Sequence, residues 1–210
     1  FEILNVMKCA LNSIGVNNIT MHVNHRGIFN RFLDRLGVLD KSEDILRSVD
    51  KLAKVGADEV LKELVEFTGD KSKADKIVEY ISCKGSFEEI LSKLTELAGG
   101  ESDDTRRMND IYQMMKASGI QDSYVLDPSI TRGLDYYTGV VYETFLNDLP
   151  SIGSVCSGGR YDNLAGLYMK EKVPGVGGSI GIDRLIAGLE QLGKFSAAGS
   201  YLDAEIYCQD

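Results

Sequence analysis

The stretch RGLDYYTG, residues 132–139, runs directly into VVYETF, residues 140–145. The second run is rich in β-branched and aromatic residues, so it predicts a strand. The first run places a guanidinium, a carboxylate and two phenols within eight residues at the edge of that strand. Because charged groups are seldom packed into a core, this density indicates a binding site at a strand edge.

Two further glycine-rich elements follow. Residues 157–162 read SGGRYD, and residues 177–184 read GGSIGIDR and lead into an amphipathic helical pattern. Thirteen of the 22 glycines lie between Gly133 and Gly199. Glycine lacks a Cβ atom, so this concentration predicts a backbone that turns tightly or approaches a ligand closely.

Taken in order, the three elements resemble those of the histidyl-tRNA synthetases. The first two resemble that family's two histidine-specific signatures, and the third resembles the third motif of the class II synthetases. The resemblance covers about residues 1–36 and 119–195. It implies an α/β (α+β) fold of the class II synthetase type, in which helices flank an antiparallel sheet, with an all-helical insertion between the two parts.

The resemblance assigns the catalytic role to Arg132. In the family, this arginine contacts the α-phosphate region of ATP and the carboxylate of histidine. Forming an aminoacyl adenylate brings two anions together, and charge grows on the phosphoryl oxygens in the transition state. A fixed guanidinium stabilises that charge.

The resemblance also implies the residues that bind histidine. It places Tyr136 and Tyr137 at the imidazole, where a phenol can donate to or accept from a ring nitrogen. In an extended chain the two rings would point to opposite sides, and Tyr137 is the stronger candidate. Gly158 and Gly159 remove two Cβ atoms where a backbone could pass close to the amino acid. Tyr161, at the start of a predicted helix, resembles the substrate-contacting tyrosine of the second signature.

The third element implies the nucleotide site. In class II synthetases a glycine-lined strand lets adenine lie flat, and an arginine stacks on it or meets the γ-phosphate, which suits a planar guanidinium. We therefore expect Gly181 and Arg184, together with Arg132, to bind ATP, with Mg²⁺ bound alongside the nucleotide. The two histidines, His22 and His25, are too few for a histidine-rich metal site, so no metal held by protein side chains is expected.

Hydrophobic periodicity predicts the other elements. Strands are predicted at residues 19–24, 124–126, 140–145, 153–156 and 176–180, with helices at residues 161–169 and 183–192. From about residue 38 to 119 only helical spacing occurs, including a capping box at Ser86–Glu89 and a helix that starts at Ser102 or Asp103. Ile182 is predicted on the buried face of the last helix. The tripeptide Asn24-His25-Arg26, just past the first strand, is predicted to be exposed or to cap the next helix.

Four regions are expected along the chain. These are a first part of the catalytic core at 1–37, a helical insertion at 38–119, a second core part at 120–196, and a linker with the start of an anticodon-binding domain at 197–210. The insertion is expected to approach the acceptor end of the tRNA. It carries 13 Lys/Arg against 18 Asp/Glu, a net of −5, so contacts must come from small clusters such as Lys71/Lys73/Lys76 or Arg106/Arg107.

Composition narrows the class of protein. The net charge of −9 argues against a broad electropositive surface for nucleic acid. Cys9, Cys83, Cys156 and Cys208 form no CxxC pair, which predicts free thiols in a reducing compartment. No apolar run approaches the roughly 18 residues of a membrane helix, and no signal-peptide pattern is found. We therefore expect a cytoplasmic protein without membrane contact.

The resemblance also predicts what the full protein does. Class II motifs 1 and 2 have no counterpart here and would precede Phe1, and the anticodon-binding domain would begin near Ala204. We expect a homodimeric histidine–tRNA ligase that uses L-histidine, ATP and tRNA(His), with this segment inactive by itself. The alternative is a non-catalytic relative, either a regulatory subunit of histidine biosynthesis or a sensor of uncharged tRNA, in which the signatures are typically degraded. A third reading is an unrelated helical interaction module with a β appendix.

Overall fold

A mixed sheet lies at the centre of the described part of the chain, which comprises residues 1–131, 133, 136–171 and 173–194 of the computed structural model. Its strands there are β1 (Ile19–His25), β2 (Tyr124–Leu126), β3 (Val140–Leu146), β4 (Cys156–Tyr161) and β5 (Gly175–Ile180). They lie in the order β2-β1-β3-β4-β5, with β2 parallel to β1 and the other neighbours antiparallel. This sheet, flanked by helices, confirms the predicted fold class.

Helices account for most of the remaining described residues. They are α1 (Glu2–Ser13), α2 (Arg26–Arg35), α3 (Ser42–Asp50), α4 (Leu52–Val55), α5 (Ala57–Thr68), α6 (Lys71–Ile81), α7 (Phe87–Leu97), α8 (Asp103–Ala117) and α9 (Ile182–Gln191). The segment from residue 39 to 119, which contains α3 to α8, is helical as its periodicity predicts. The domain boundaries themselves stay predictions.

This helical segment packs on the sheet through α2, which directly follows β1. Tyr80 of α6 is fully buried, and its ring centroid lies 4.6 Å from that of Phe32 and 5.1 Å from that of Phe29, both on α2. Aromatic pairs of this kind contribute about 0.5–1.5 kcal/mol beyond their burial. Sheet and helical segment therefore share one hydrophobic core.

Side-chain caps fix where two of these helices begin. Ser86 accepts from the backbone N–H of Glu89 while the Glu89 carboxylate accepts from the Ser86 N–H, which confirms the predicted capping box of α7. Ser102, rather than Asp103, is the N-cap of α8, and Thr105 completes its box. Each such cap satisfies helix N–H groups that have no intrahelical acceptor.

The prediction was wrong around the second signature. The strand there is not residues 153–156, because a 3₁₀ turn (Pro150–Ile152) and a left-handed Gly153 (φ 84°) precede it, and β4 begins only at Cys156. Both signature glycines are strand residues, and β4 extends to Tyr161. The predicted helix at 161–169 is reduced to a 3₁₀ turn (Leu164–Leu167).

The strand registers define two faces of the sheet. On what we call the helix face, directly opposed residues across β1, β3, β4 and β5 are Val23, Tyr142, Gly158 and Gly178. On the site face the corresponding row is Asn24, Val141, Gly159 and Gly177. Helix α1 lies on the helix face, where the buried Tyr124 hydroxyl donates to the Leu4 carbonyl at 3.2 Å. Neighbouring residues on one strand therefore belong to different environments.

Candidate active site

Tyr137 is held in a turn between two glycines. The backbone N–H groups of Tyr136 and Tyr137 both donate to the Gly133 carbonyl, at 3.3 and 3.1 Å. A Cβ atom on Gly159 would lie 2.8 Å from the Tyr137 ring, and one on Gly133 would overlap that ring. Gly133 also has a φ of 66°, which favours glycine. One glycine of each signature therefore makes room for the same tyrosine.

The turn also corrects the expected geometry of the tyrosine pair. The sequence predicts opposite orientations for an extended chain, whereas the Tyr136 and Tyr137 ring centroids lie only 4.3 Å apart. Tyr136 is 43% exposed, and Tyr137 is half-buried. Burial, followed by the hydrogen bond with Tyr136, raises the pKa of Tyr137 above its ordinary value. A phenol is protonated at neutral pH even at its ordinary pKa, and this shift moves the pKa of Tyr137 further from neutrality, so its hydroxyl can donate.

The adjacent Gly158 belongs to the helix face. A Cβ atom on Gly158 would lie 2.5 Å from Cζ of Tyr142, and one on the opposed Gly178 would lie 2.9 Å from the same atom. The two glycines therefore make room for the buried Tyr142 ring. Binding of histidine by Gly158 stays a prediction, and only its main chain could take part.

Tyr161 and Gly159 share the site face. Tyr161 is the last residue of β4 and is paired with Gly175 of β5, where a Cβ atom would lie 2.7 Å from Cζ of Tyr161. Its ring therefore packs directly on the β5 backbone. Since Tyr137 packs on Gly159, the tyrosines of both signatures lie on the same face of β4, as a shared histidine pocket requires.

A carboxylate links the two signatures, and sequence reasoning missed it. Asp162 accepts from the Thr138 hydroxyl at 2.6 Å and from Nε of Arg160 at 2.9 Å. The Thr138 N–H also donates to the Arg160 carbonyl at 2.9 Å. The signal was present in the sequence, since each signature carries a short polar residue at or next to its end, but pairing them required knowledge of the strand register.

The proposed catalytic residue lies outside the described residues. Arg132, Leu134 and Asp135 are not among them, so the role of Arg132 stays a prediction. The described chain on either side is Thr131, which is buried, and Gly133.

The tripeptide at the end of β1 differs from its prediction. Asn24, His25 and Arg26 are only 4%, 2% and 6% exposed. His25 does cap α2, because its Nδ1 accepts from the Gly27 N–H at 3.1 Å. Burial lowers the pKa of His25 to about 4, partly opposed by the Asp104 carboxylate, which lies 3.7 Å from Nε2. His25 is therefore a buried, neutral residue and not a surface one.

His22, by contrast, lines a cleft. It is on the site face, and its Nδ1 lies 2.7 Å from the Asp127 carboxylate. The cleft, of about 460 Å³, is also lined by Cys83 and Ser129 and lies between part of the sheet and the helical segment. Asp127 keeps a pKa below its usual value despite burial, because His22 and Ser129 hydrogen bond to it.

Two of the residues expected to bind ATP, Gly181 and Arg184, lie together in a second cleft. This cleft, of about 350 Å³, is lined by Ser157, Ser179, Gly181 and Arg184 among others. Arg184 is exposed, and its guanidinium donates to the Ser154 carbonyl at 2.7 Å. Ile182, predicted on the buried face of α9, is 63% exposed, because it is the first residue of α9 and lines this same cleft.

A larger cleft, of about 750 Å³, lies on the helix face between α1 and α8. It contains Arg106 and Arg107, one of the two basic clusters singled out in the sequence, and none of Tyr137, Tyr161 and Arg184. Gly159 and Arg160 of the second signature do contribute to its lining, but the two signature tyrosines of the predicted histidine site lie outside it.

Some structural features can be stated for the described residues alone. Their Cys9, Cys83 and Cys156 are free thiols, and Cys208 lies outside them. No group of three or more His, Cys, Asp or Glu side chains among them is placed to hold a metal ion. None of the helices they form has both the length and the apolar composition needed to cross a membrane.

Comparison with known sequences identifies relatives along the whole chain. A family model described as Histidyl-tRNA synthetase matches residues 1–185. The Histidine–tRNA ligase of Treponema denticola is 61% identical in an alignment 213 positions long, which covers 99% of this chain and 47% of the relative. That of Treponema pallidum (strain Nichols) is 50% identical, covering 100% and 49%. The chain therefore spans about half the length of the curated relatives it matches.

Solved structures agree with this assignment. A histidyl-tRNA synthetase from Nostoc sp. PCC 7120 superposes with a TM-score of 0.83 at 29% identity, covering 91% of this chain and 46% of that one. A Bacillus halodurans protein described as an ATP phosphoribosyltransferase regulatory subunit/histidyl-tRNA synthetase superposes with a TM-score of 0.74 at 20% identity, covering 90% and 48%, and so shares the fold. Because the family model covers most of the chain and a relative is 61% identical over nearly all of it, the chain belongs to the histidyl-tRNA synthetase family.

Proposed function

We propose that the protein containing this chain is a histidine–tRNA ligase, which activates L-histidine with ATP and transfers it to tRNA(His). The observation that carries the proposal is the packing of Tyr137 on Gly159, because it brings the first signature onto the strand that bears the second. Tyr161 lies on the same face, and the cleft containing Arg184 is on the neighbouring part of the sheet.

Histidine binds, in this proposal, against the site face of β4. Tyr137, whose phenol is protonated, donates to or accepts from an imidazole nitrogen, and Tyr161 borders the same pocket. Tyr136 contributes from its exposed position beside Tyr137. Gly159 takes part by allowing the Tyr137 ring to approach the strand, and Gly158 by its main chain alone.

ATP binds between the histidine pocket and α9. Gly181 and Arg184 line the cleft that would hold the nucleotide. A carboxylate oxygen of histidine attacks the α-phosphorus, a bond forms between them, and pyrophosphate leaves with the electron pair of the broken P–O bond. Arg132 stabilises the developing charge on the phosphoryl oxygens. A terminal ribose hydroxyl of the tRNA then attacks the carbonyl carbon, and AMP leaves.

Mg²⁺ accompanies the nucleotide. The described residues provide no group of three metal-ligating side chains. Magnesium usually keeps several waters and is bound through substrate phosphates with one or two carboxylates. The residues therefore fit an ion carried by the phosphates, which it would help to neutralise, and not a dedicated protein cage.

The same proposal covers the rest of the molecule. The full protein acts as a cytoplasmic homodimer, and the segment 38–119 is an insertion that approaches the acceptor end of tRNA(His). Arg106 and Arg107 lie at the N-terminal part of α8, where a small basic cluster could contact phosphates. In this proposal the 210-residue segment is inactive by itself, because class II motifs 1 and 2 have no counterpart in it.

The test is histidine-dependent exchange of pyrophosphate into ATP by the full-length protein, followed by charging of tRNA(His). Exchange with histidine and not with other amino acids is the expected result. Histidine binding in calorimetry without exchange or charging would instead support the non-catalytic regulatory or tRNA-sensing alternative. The retention of Arg132, Tyr137 and Tyr161 in the sequence favours the enzyme.

A further inference from the structure

The end of β1 holds the chain that enters the first signature. We call residues 127–131 the entry loop. The Asn24 amide is almost fully buried, and its Nδ2 donates to the carbonyls of Pro128 and Ile130, at 3.2 and 3.0 Å. Its Oδ1 accepts from the His25 N–H at 2.8 Å. Two N–H donors thus meet two carbonyls, a match that few side chains of this size provide.

Arg26 contacts both ends of the signature stretch. Its guanidinium Nη2 donates to the Thr131 carbonyl at 2.9 Å, and its backbone N–H donates to the Gly139 carbonyl at 2.8 Å. Thr131 is the residue before the signature and Gly139 is its last residue. A single buried residue therefore fixes the distance between the points where the signature begins and ends.

The entry loop is attached to β1 at its start, and Asn24 of β1 and Arg26 of α2 hold it further along. The Asp127 N–H donates to the Val23 carbonyl at 2.8 Å, and the Asp127 carboxylate accepts from the N–H of Ser129 at 2.9 Å. The carbonyls held by Asn24 and Arg26 come next in the chain. The last of them precedes Arg132 by one residue, and consecutive Cα atoms are only about 3.8 Å apart. These bonds therefore hold the described chain as far as Thr131, the residue before the first signature.

We propose that Asn24 and Arg26 are positioning residues for histidine activation. They act through the first signature by fixing the backbone on either side of it. This inference rests on the proposed ligase function. Catalysis that depends on alignment is sensitive to small displacements, and a shift of about 1 Å can cost about 100-fold in rate. Loosening the entry loop should therefore lower the rate of histidine activation strongly, with a smaller effect on the free energy of unfolding.

Two variants and one matched control test the proposal in the full-length protein. Asn24→Ala removes both donors to the entry loop, and Arg26→Lys keeps the charge but loses the planar guanidinium. Tyr124→Phe is the control, because it deletes a buried hydroxyl that donates to the Leu4 carbonyl at 3.2 Å on the helix face. It removes one buried hydrogen bond without touching the signature.

In pyrophosphate exchange, kcat should fall at least about tenfold in Asn24→Ala and Arg26→Lys, with KM for ATP changed less than about twofold. Tyr124→Phe should keep the wild-type rate. In an Arg132→Ala background, Asn24→Ala should cause no further loss, because residues that act as a unit are not additive. Retained kcat in the two variants, or the same loss with and without Arg132, would overturn the proposal.

Hydrogen–deuterium exchange gives a readout that does not depend on activity. Peptides covering residues 130–139 should exchange faster in Asn24→Ala and Arg26→Lys than in the wild type, and not in Tyr124→Phe. If the rate of deuterium uptake in these peptides is unchanged in the two variants, the inference is rejected, whatever their catalytic rates are. Faster exchange in a protein that shows no histidine-dependent activity would instead reject the ligase function, and with it the catalytic part of this inference.

Discussion

The helical segment 39–119 and the glycine-rich segment 133–184 depend on different kinds of packing. In the first, apolar side chains at helical spacing fill the core, as Ile77 and Tyr80 do. In the second, a missing side chain is as important as a present one, because each of Gly159, Gly158 and Gly175 is matched by a tyrosine ring. A helix can be predicted from its own residues, whereas these glycines can be understood only together with the distant residue that occupies their space.

The largest effect on the rate of histidine activation is expected at Arg132, the proposed catalytic residue of the first signature. Arg132→Ala in the full-length protein should lower the rate of histidine-dependent pyrophosphate exchange by about 10²–10³, the usual loss for one preorganised donor to a developing oxyanion. The circular dichroism spectrum and the melting temperature should stay close to wild type. An unchanged rate of pyrophosphate exchange would remove Arg132 from the mechanism and leave histidine binding by the tyrosines as the remaining role of the first signature.

The comparison is tested most directly by adding one methyl group. Gly159→Ala would place a Cβ atom 2.6 Å from the Val140 carbonyl oxygen and 2.8 Å from the Tyr137 ring. We expect a loss of about 1–3 kcal/mol in unfolding free energy, which is typical of overpacking. In calorimetry, the substitution should lower the affinity for histidine more than the affinity for ATP. Gly166→Ala is the control, since nothing lies within 4 Å of that Cβ position. Similar behaviour of the two variants would contradict the packing interpretation.

His25 predicts a pH dependence that its replacement should remove. Its pKa in the folded chain is about 4, below the ordinary value of 6.5, so between these pH values the unfolded chain binds a proton that the folded chain does not. Stability from this group is therefore complete above about pH 6.5 and falls as the pH drops toward 4, by about 2 kcal/mol at pH 5.

His25→Asn keeps a residue that can cap α2 but does not titrate in this range. Urea unfolding at pH 7 and pH 5 should therefore show a smaller loss for His25→Asn than for wild type. Equal losses in the two proteins would mean that His25 is not held neutral by burial.

The smallest effect is expected at the start of α7. Ser86→Ala removes the oxygen that accepts from the Glu89 N–H, and should cost about 1 kcal/mol of unfolding free energy. Because the cap lies in the helical segment, the rate of histidine activation should stay unchanged. A loss of histidine affinity as large as that expected for Gly159→Ala would show that the two segments are energetically less separate than their packing indicates.

Local patterns were sufficient for much of the fold. The alternation of Ile19, Met21 and Val23 predicted β1, and the Ser86–Glu89 box predicted the start of α7. The boundaries of β4 were missed because Gly158 and Gly159 are usually turn residues, and their place in a strand depends on rings supplied by Tyr142 and Tyr137. Burial of Asn24 and Arg26 was missed for a related reason, since their partners lie more than 100 residues away in the chain.

The site was predictable to a similar degree. The two signatures named Tyr137 and Tyr161, and the third element named Arg184. The two tyrosines lie on one face of the sheet, and the arginine lines a cleft with Gly181. The link through Asp162 required the strand register, which no local pattern contains.

Because Gly158 and Gly159 face opposite sides of the sheet, substitutions on its helix face can affect the selectivity for histidine. A single layer of main chain separates the interior ring of Tyr142 from Tyr137, with no side chain between them to absorb a displacement. Substitutions at Tyr142 or Gly178, which contact no substrate in the proposed mechanism, should therefore alter the discrimination between histidine and similar amino acids. Screens for loss of amino-acid selectivity should therefore recover substitutions on the helix face of the sheet as well as on the site face.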